Sequence, residues 1–323
     1  MISKRRLLKI RENTAPSVRR RKSRVRWTIH LFPILALIIY GLFVLYPIIA
    51  ALSYSFFEWK GMARGDFIGF QNFVTLFTTE PYGSMFWNAF KHNVLYFVVQ
   101  MIVMNGLAFF LAFIIYQKIK GAEFFKAAFF LPRLLSVIVV GFLWKLILNP
   151  NFGTLNVILE KLGLETLQKA WLGDPNTALI AIILVNCWFG LGFGVLIFLA
   201  GFQGIPSELV EAAKLDGAKG FTLLRTIYLP LMVPSIMIMG ILTFIQSFEA
   251  FELVYAMQGS MGEPYYSTDT LAVFFYRLAF GSSTASGATA IGLGSALATV
   301  LFLFILVCTT LFLRFTNKKN VQM

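Results

Sequence analysis

From residue 177 the chain reads TALIAIILVNCWFGLGFGVLIFLAGFQ up to residue 203, and then GIPSELVEAAKLDGAKGFTLLRTIYLP up to residue 230. The first segment has no Asp, Glu, Lys or Arg and exceeds the roughly 20 apolar residues that cross a bilayer. The second segment carries several charges of both signs. This contrast predicts a transmembrane helix followed by a polar loop at the membrane surface.

The rest of the chain has the same character as the first segment. Of its 323 residues, 58% are hydrophobic and 13% are charged, whereas soluble domains carry about 25% charged residues. We therefore predict an all-α membrane protein with six transmembrane helices. The apolar runs that predict them are 29–54, 92–116, 124–148, 177–203, 231–257 and 289–314.

The distribution of Lys and Arg predicts the orientation. With the N-terminus in the cytoplasm, the inner segments hold twenty of these residues and the outer loops six, as the positive-inside rule requires. Residues 1–26 hold eleven of the twenty, a local topology signal rather than a nucleic-acid-binding surface. We predict a basic cytoplasmic tail (1–28), a first transmembrane helix with its outer loop (29–91), a transmembrane core (92–314) and a cytoplasmic C-terminal tail (315–323), with both termini cytoplasmic.

The sequence lacks the residues of the common catalytic and metal sites. The dipeptide Gly-Lys of a phosphate-binding P-loop does not occur, and the chain has two histidines, His30 and His92. Its two cysteines, Cys187 and Cys308, lie far apart in apolar runs. We therefore expect no catalytic, metal or cofactor site in this chain.

The polar loop predicts a short helix that begins near Pro206 and ends near Gly217. At helical spacing, Leu209, Ala212, Ala213 and Asp216 share one face, where small side chains let another protein approach closely. From periodicity alone, an alanine-rich connector lying on the membrane is the favoured interpretation of the segment.

The pattern Glu211-Ala212-Ala213, Gly217, Ile227 and Leu229-Pro230 resembles the EAA loop of permease subunits of ABC importers. This resemblance implies a type I importer permease with a MetI-like core. It also implies that the loop docks in a groove of a separate ATPase dimer, which binds ATP and Mg²⁺, so that this chain binds no cofactor itself. The implied ATPase-coupling residues are Glu211, Ala212, Ala213, Asp216, Gly217, Ile227, Leu229 and Pro230.

Other segments resemble the maltose-type, binding-protein-dependent carbohydrate permeases. They are FIGFQNF at residues 67–73, Leu131-Pro132, Trp144, and Asn149-Pro150 with Gly153 and Asn156. The resemblance implies a carbohydrate substrate, an oligosaccharide above all, and location in a bacterial cell membrane. The implied partners are a second, homologous permease subunit, an ATPase dimer and an external solute-binding protein.

Polar residues within the apolar runs predict a substrate pathway. Thr243, Gln246, Glu249 and Glu252 lie along one arc of the fifth predicted helix, where charged groups are costly unless they face protein or water. Sugars need hydrogen-bonding groups and flat aromatic surfaces. We therefore predict Glu249, Gln246, Glu252, Asn186, Trp188 and Tyr255 as pathway residues. Alternatively, Glu252 lies at the outer interface and Asn186 bonds across helices.

Two other classes of protein are compatible with parts of the sequence. A stand-alone secondary transporter or channel accounts for six helices and an intramembrane carboxylate, but leaves the EAA spacing unexplained. An intramembrane enzyme would need a nucleophile and base, and no such pair is visible. Co-purification with an ATPase and a second permease separates the importer from both.

Overall fold

The computed structural model describes the backbone of residues 27–281 and 290–320, and side chains within residues 33–281 and 290–314. The predicted basic tail (1–28) and C-terminal tail (315–323) lie mostly outside the described residues. The chain divides into two units, residues 1–49 and residues 50–323.

The described chain is mostly helical. The helices are α1 Trp27–Tyr40, α2 Tyr46–Tyr54, α3 Gln71–Thr78, α4 Tyr82–Val99, α5 Asn105–Tyr116, α6 Ala122–Phe130, α7 Val137–Ile147, α8 Thr154–Lys161, α9 Ala178–Gln203, α10 Ser207–Leu215, α11 Gly220–Leu223, α12 Leu229–Leu231, α13 Val233–Phe248, α14 Glu252–Gln258, α15 Leu271–Phe280 and α16 Ile291–Asn320. The π-helical turns Gly41–Leu45, Gln100–Met104 and Leu224–Tyr228 join α1 to α2, α4 to α5 and α11 to α12.

Among the described residues, four helices are long and apolar enough to cross a membrane: Pro33–Tyr54, Tyr82–Tyr116, Ala178–Gln203 and Ile291–Arg314. Two further helix pairs pass the same test but are bent, so the count is six if each pair makes one crossing. The predicted start of the second helix at residue 92 is wrong by ten residues, because Tyr82 to Lys91 belong to the same helix although Ser84, Asn88 and Lys91 interrupt the apolar run.

The third predicted span, 124–148, is not a single straight helix. Helix α6 passes into a 3₁₀ turn at Leu131–Leu134, and Leu135 is extended, so α7 starts after a bend of 98°. Pro132 lies in this turn. Proline lacks a backbone N–H and its ring clashes with the preceding helical turn, which explains why the α-helix does not continue through it.

The fifth predicted span, 231–257, is wrong at both ends. The chain is already helical from Gly220 and bends by 67° before Val233. Helix α13 then ends at Phe248, and α14 begins at Glu252 after a three-residue break. The predicted polar arc from Thr243 to Glu252 is therefore not a continuous stripe on one helix.

The all-α prediction also missed a small β-hairpin. Strands β1 (Phe57–Lys60) and β2 (Ala63–Phe67) pair antiparallel with Phe57 opposite Phe67 and Lys60 opposite Ala63. The guanidinium of Arg64 lies 3.5 Å from the ring centre of Phe57. Asn72 of α3 donates hydrogen bonds to the carbonyls of Ser55 and Phe57, which fixes the hairpin to the following helix.

Helix α9 lies at the centre of the main hydrophobic core and packs closely along α5. Gly190 and Gly194 make this possible: an added Cβ would lie 2.8 Å from the Met104 sulfur and 2.9 Å from the Ala108 Cβ, respectively. The spacing of small residues at i and i+4 is a common device for close helix contact in membranes.

A buried polar network joins α4 and α5 to α13. The Asn93 side chain donates to the Ser247 carbonyl at 2.6 Å, and its own carbonyl accepts from the backbone N–H of Leu271 at 2.9 Å. Asn105 donates to the Thr243 hydroxyl at 2.9 Å. Because apolar surroundings offer no other partners, such bonds fix the register of neighbouring helices.

The loop between α7 and α9 is organised around Asn156. Its amide donates to the carbonyls of Pro150 and Lys169, both at 3.1 Å, and its carbonyl accepts from the Trp171 indole at 2.8 Å. One buried side chain thus joins the start and end of the loop. These bonds give Pro150 and Asn156 a structural role in the loop, and the Asn149 side chain accepts from the backbone N–H groups of Asn151 and Phe152 in the turn that follows it.

Candidate coupling loop and substrate site

The predicted coupling loop forms a short helix, α10, with Pro206 at its start and Asp216 at its end. Gly217 follows with φ +88°, a left-handed conformation that is costly for residues with a Cβ. The N–H of Gly217 donates to the Lys214 carbonyl and that of Ala218 to the Ala213 carbonyl, at 3.1 and 2.9 Å. This is the arrangement of a glycine-terminated helix, and it explains why glycine occupies position 217.

One side of α10 is anchored to its own bundle. Val210 and Ala213 are buried, whereas Glu211 and Ala212 are exposed. The prediction that Ala213 shares an accessible face with Leu209, Ala212 and Asp216 is therefore wrong for Ala213. Helix geometry gives the reason, since Ala213 follows Val210 by three residues and lies beside it.

The remaining predicted coupling residues follow in the helical segment 220–231. Ile227 is partly buried against the main core, and Leu229 and Pro230 are more exposed. The exposed side of the loop also carries Leu215 and Phe221, whose side chains are 89% and 75% exposed. Exposed apolar side chains surrounded by polar ones are typical of a surface that contacts another protein.

Four of the six predicted pathway residues line one cavity of about 360 Å³: Asn186, Gln246, Glu249 and Glu252. The break between α13 and α14 brings the two glutamates together. Glu249 caps α13, and Glu252 begins α14. A cavity of this size lies within the range of small-ligand sites.

Trp188 and Tyr255 do not line this cavity. Trp188 lies edge-on to Trp144, with ring centres 5.5 Å apart. Tyr255 stacks on Phe251 at 5.2 Å, and Phe251 does line the cavity. Tyr255 thus contacts a residue of the cavity lining without lining the cavity itself.

Sequence reasoning did not assign Arg133 to the site, although the residue lines the same cavity with Tyr96 and Phe189. The bend at Pro132 places Arg133 there, and its guanidinium lies 4.8 Å from the ring centre of Phe189. The signal in the sequence was a charged residue beside a proline within an apolar run. The cavity therefore contains two carboxylates and one guanidinium among aromatic rings.

A family profile described as "Binding-protein-dependent transport system inner membrane component" matches residues 104–320. The chain belongs to this family. It is accordingly the membrane component of a transporter, a multi-pass permease subunit, and not the ATPase that powers it.

Individual relatives cover nearly the whole permease. The probable ABC transporter permease protein YurN of Bacillus subtilis is 33% identical, with 88% of this chain and 94% of the relative covered. The multiple sugar-binding transport system permease protein MsmF of Streptococcus mutans is 32% identical, with 91% and 96% covered.

The fold of the permease is also that of a solved transporter. A chain of a bacterial ABC transporter involved in the import of the acidic polysaccharide alginate superposes with a TM-score of 0.76 at 22% identity, covering 97% of this chain and 99% of that one. A second alginate ABC transporter structure, in complex with an alginate pentasaccharide-bound periplasmic protein, gives a TM-score of 0.74 at 24% identity. At these identities the likeness concerns the fold.

Proposed function

We propose that this permease forms the translocation pathway of an importer for an uncharged carbohydrate, above all an oligosaccharide. An external solute-binding protein delivers the sugar, a second homologous permease subunit completes the pathway, and a dimeric ATPase binds ATP and Mg²⁺ and drives the cycle. The observation that carries the proposal is helix α10, which is anchored by Val210 and exposes Glu211 and Ala212 on its other side.

The proposed topology has six crossings in a bacterial cell membrane, with both termini and the coupling loop in the cytoplasm. Each bent helix pair then makes one crossing. The excess of Lys and Arg in alternate segments, twenty against six, supports this orientation.

In this mechanism the chain performs no covalent chemistry. Helix α10 occupies a groove of the ATPase, a helix-in-groove contact of the kind used by many peptide partners. Closure of the ATPase dimer on ATP moves α10, and because Val210 and Ala213 anchor α10 to the bundle, the motion reaches the transmembrane helices. ATP binding thereby shifts the population between inward-open and outward-open forms.

The carbohydrate assignment rests on relatives and on the cavity. One relative is named for starch degradation products, another for multiple sugars and a third for lactose. The cavity offers amide and carboxylate groups from Asn186, Gln246 and Glu249 beside the ring of Phe251, which suits hydroxyl groups and the flat faces of pyranose rings. Its two glutamates outnumber Arg133, so the net charge favours a neutral over an anionic sugar.

Gly217→Val tests the proposal. The site has open space but a left-handed backbone, so valine disturbs the end of α10 at a cost of about 1 to 2 kcal/mol without a clash. We expect the variant to insert normally while ATP hydrolysis is no longer coupled to sugar uptake in the reconstituted transporter. The control is Gly163→Val, which has φ +71° and equally open space in the loop after α8.

Coupled uptake at the normal rate in Gly217→Val would contradict the proposal, as would loss of coupling in both variants. A stand-alone secondary transporter or channel would transport without an ATPase. Purification from the native membrane separates the two classes, because the proposal requires an ATPase and a second permease to accompany this chain.

A further inference from the structure

A second cavity, of about 600 Å³, lies between the end of α5 and the coupling loop. Lys118 contributes from the α5 side, and Lys214 and Lys219 contribute from the coupling loop. We refer to it as the lysine cavity. In the proposed topology it lies at the cytoplasmic end of the transmembrane helices, and the inference below rests on that orientation.

The lysine cavity has an uncompensated positive charge. Glu211 is the one carboxylate in its lining. Among the described residues, none of the three lysines has a carboxylate within ion-pair distance of 4.0 Å. Three ammonium groups and one carboxylate give the cavity a net charge of +2, which favours an anionic ligand.

Lys118, which follows α5, lines the cavity in an unusual backbone conformation. Lys118 has φ +57°, at the position after the helix end where glycine is usual. A left-handed conformation costs a residue with a side chain about 1 to 2 kcal/mol. The chain turns at this residue, directly after α5, and Lys118 lines the same cavity as Lys214 and Lys219 of the coupling loop.

The lysine cavity also has apolar and aromatic lining residues, which we call its aromatic wall. Phe113, Val210 and Leu223 line it, together with Tyr116 and Tyr228, whose ring centres are 5.7 Å apart. Tyrosines at helix ends are typical of the membrane interface. A ligand that matches both the lysines and the aromatic wall has an anionic group and a hydrocarbon part.

We propose that the lysine cavity binds the phosphate group of an anionic phospholipid, with part of an acyl chain against the aromatic wall. Basic pockets between helices on the cytoplasmic side are a recognised way of holding anionic headgroups. Free inorganic phosphate fits the lysines but leaves the aromatic wall uncovered. Since the cavity joins α5 to the coupling loop, the bound lipid holds α10 in place at the membrane surface.

The test measures lipid retention by the full-length permease. The protein is reconstituted in nanodiscs of phosphatidylcholine with one-fifth phosphatidylglycerol, released into mild detergent, and its bound lipids are counted by native mass spectrometry. We expect wild type to retain phosphatidylglycerol in preference to phosphatidylcholine. The triple variant K118Q/K214Q/K219Q should lose this preference by about tenfold, since each lysine near the surface contributes measurably to anionic lipid binding.

Two further variants distinguish a specific effect of the lysine cavity from a general loss of positive charge and from misfolding. The control K91Q/K161Q/K169Q removes three exposed lysines from the predicted outer loops and should leave retention unchanged. Glu211→Gln raises the net charge of the lysine cavity and should strengthen retention, a change that misfolding does not produce.

Equal retention by wild type and the triple variant would overturn the inference, and so would equal loss in the control. Displacement of the lipid by millimolar inorganic phosphate would assign the site to free phosphate instead. If the triple variant loses the ATPase in lipid-free detergent, the lysines belong to the subunit interface and the lipid inference is wrong. The Gly217→Val assay is independent of all these results, so failure of the lipid site and failure of the proposed function are distinguishable.

Discussion

Glu249 and Arg133 bring opposite charges to one cavity from two broken helices. Glu249 caps α13 where the helix ends, and Arg133 lies in the 3₁₀ turn after α6. Helix ends and turns leave unpaired polar backbone groups that would be costly against lipid but are satisfied beside a water-filled space. The breaks and the charges therefore support the same interpretation, a polar pathway through the bundle.

We predict that Glu249→Gln weakens uptake of a neutral sugar. A hydrogen bond to a charged group contributes about 1.5 to 3 kcal/mol, so the KM for uptake should rise about tenfold or more in the reconstituted transporter. Glu160→Gln, which alters an exposed glutamate of α8, serves as the control. An unchanged KM in Glu249→Gln would remove Glu249 from the substrate site.

Among the elements, α9 depends most on small residues for its place in the bundle. Besides Gly190 and Gly194 against α5, Gly192 faces the backbone of α6, and a Cβ there would collide with the Phe129 carbonyl. Backbone atoms cannot move aside as a flexible side chain can. Helix α9 therefore fixes both α5 and the bent pair that carries Arg133.

We predict that Gly192→Ala destabilises the permease by about 1 to 3 kcal/mol, the usual cost of overpacking, and lowers its melting temperature in detergent by several degrees. The matched control is Gly106→Ala in α5, where an added Cβ meets nothing within 4 Å. That variant should melt at the same or a slightly higher temperature, since alanine is favoured over glycine in helices by up to about 1 kcal/mol. Equal melting of both variants would contradict the tight packing of α6 on α9.

The loop between α14 and α15 depends on a buried ion pair. Asp269 accepts hydrogen bonds from both terminal nitrogens of Arg277, at 3.1 and 2.5 Å, and Arg277 also donates to the Ser260 carbonyl at 3.0 Å. Burial raises the pKa of Asp269 to about 6, and Arg277 acts in the opposite direction. Breaking such a pair by removing one partner leaves the other charge buried and unpaired.

This raised pKa predicts a pH dependence of stability. Between about pH 4 and 6 the folded protein holds the Asp269 proton more tightly than the unfolded chain does, so the stability contributed by this group falls as pH rises through that window. Asp269→Asn should be less stable than wild type, and its stability should lack the fall that Asp269 causes as the pH rises through this window. Melting curves from pH 4 to 7 check it: parallel pH profiles for the two proteins would show that Asp269 does not titrate there.

For the molecule as a whole, hydropathy predicted the long helices well. The runs 29–54, 177–203 and 289–314 correspond to Pro33–Tyr54, Ala178–Gln203 and Ile291–Arg314. These segments were predictable because about 20 consecutive apolar residues have few alternatives to a helix in a membrane. Location in a membrane follows from the same apolar runs, whereas the family follows from the spacing of the EAA pattern, and the family match confirms both predictions.

The bent segments were not predictable in the same way. A proline within an apolar run is compatible with a mild kink, a re-entrant turn or a sharp bend. Contacts elsewhere decide among these, and here α6 and α7 both pack against other parts of the bundle. The meeting of Arg133 with Asn186 and Glu249 follows from that bend, so no spacing in the sequence indicated it. The hairpin at residues 57–67 was missed because two strands of four and five residues leave little periodicity.

The proposed mechanism requires α10 to be a cytoplasmic helix that binds in a groove of the ATPase. Photo-cross-linking in the assembled transporter tests this directly, with benzoylphenylalanine placed at Leu215, whose side chain is 89% exposed on the coupling loop. Leu162, 67% exposed in the loop after α8, is the control position. We expect a cross-link from position 215 to the ATPase subunit and none from position 162. A cross-link from position 162 to the ATPase, or from position 215 to the external binding protein, would contradict the proposed mechanism.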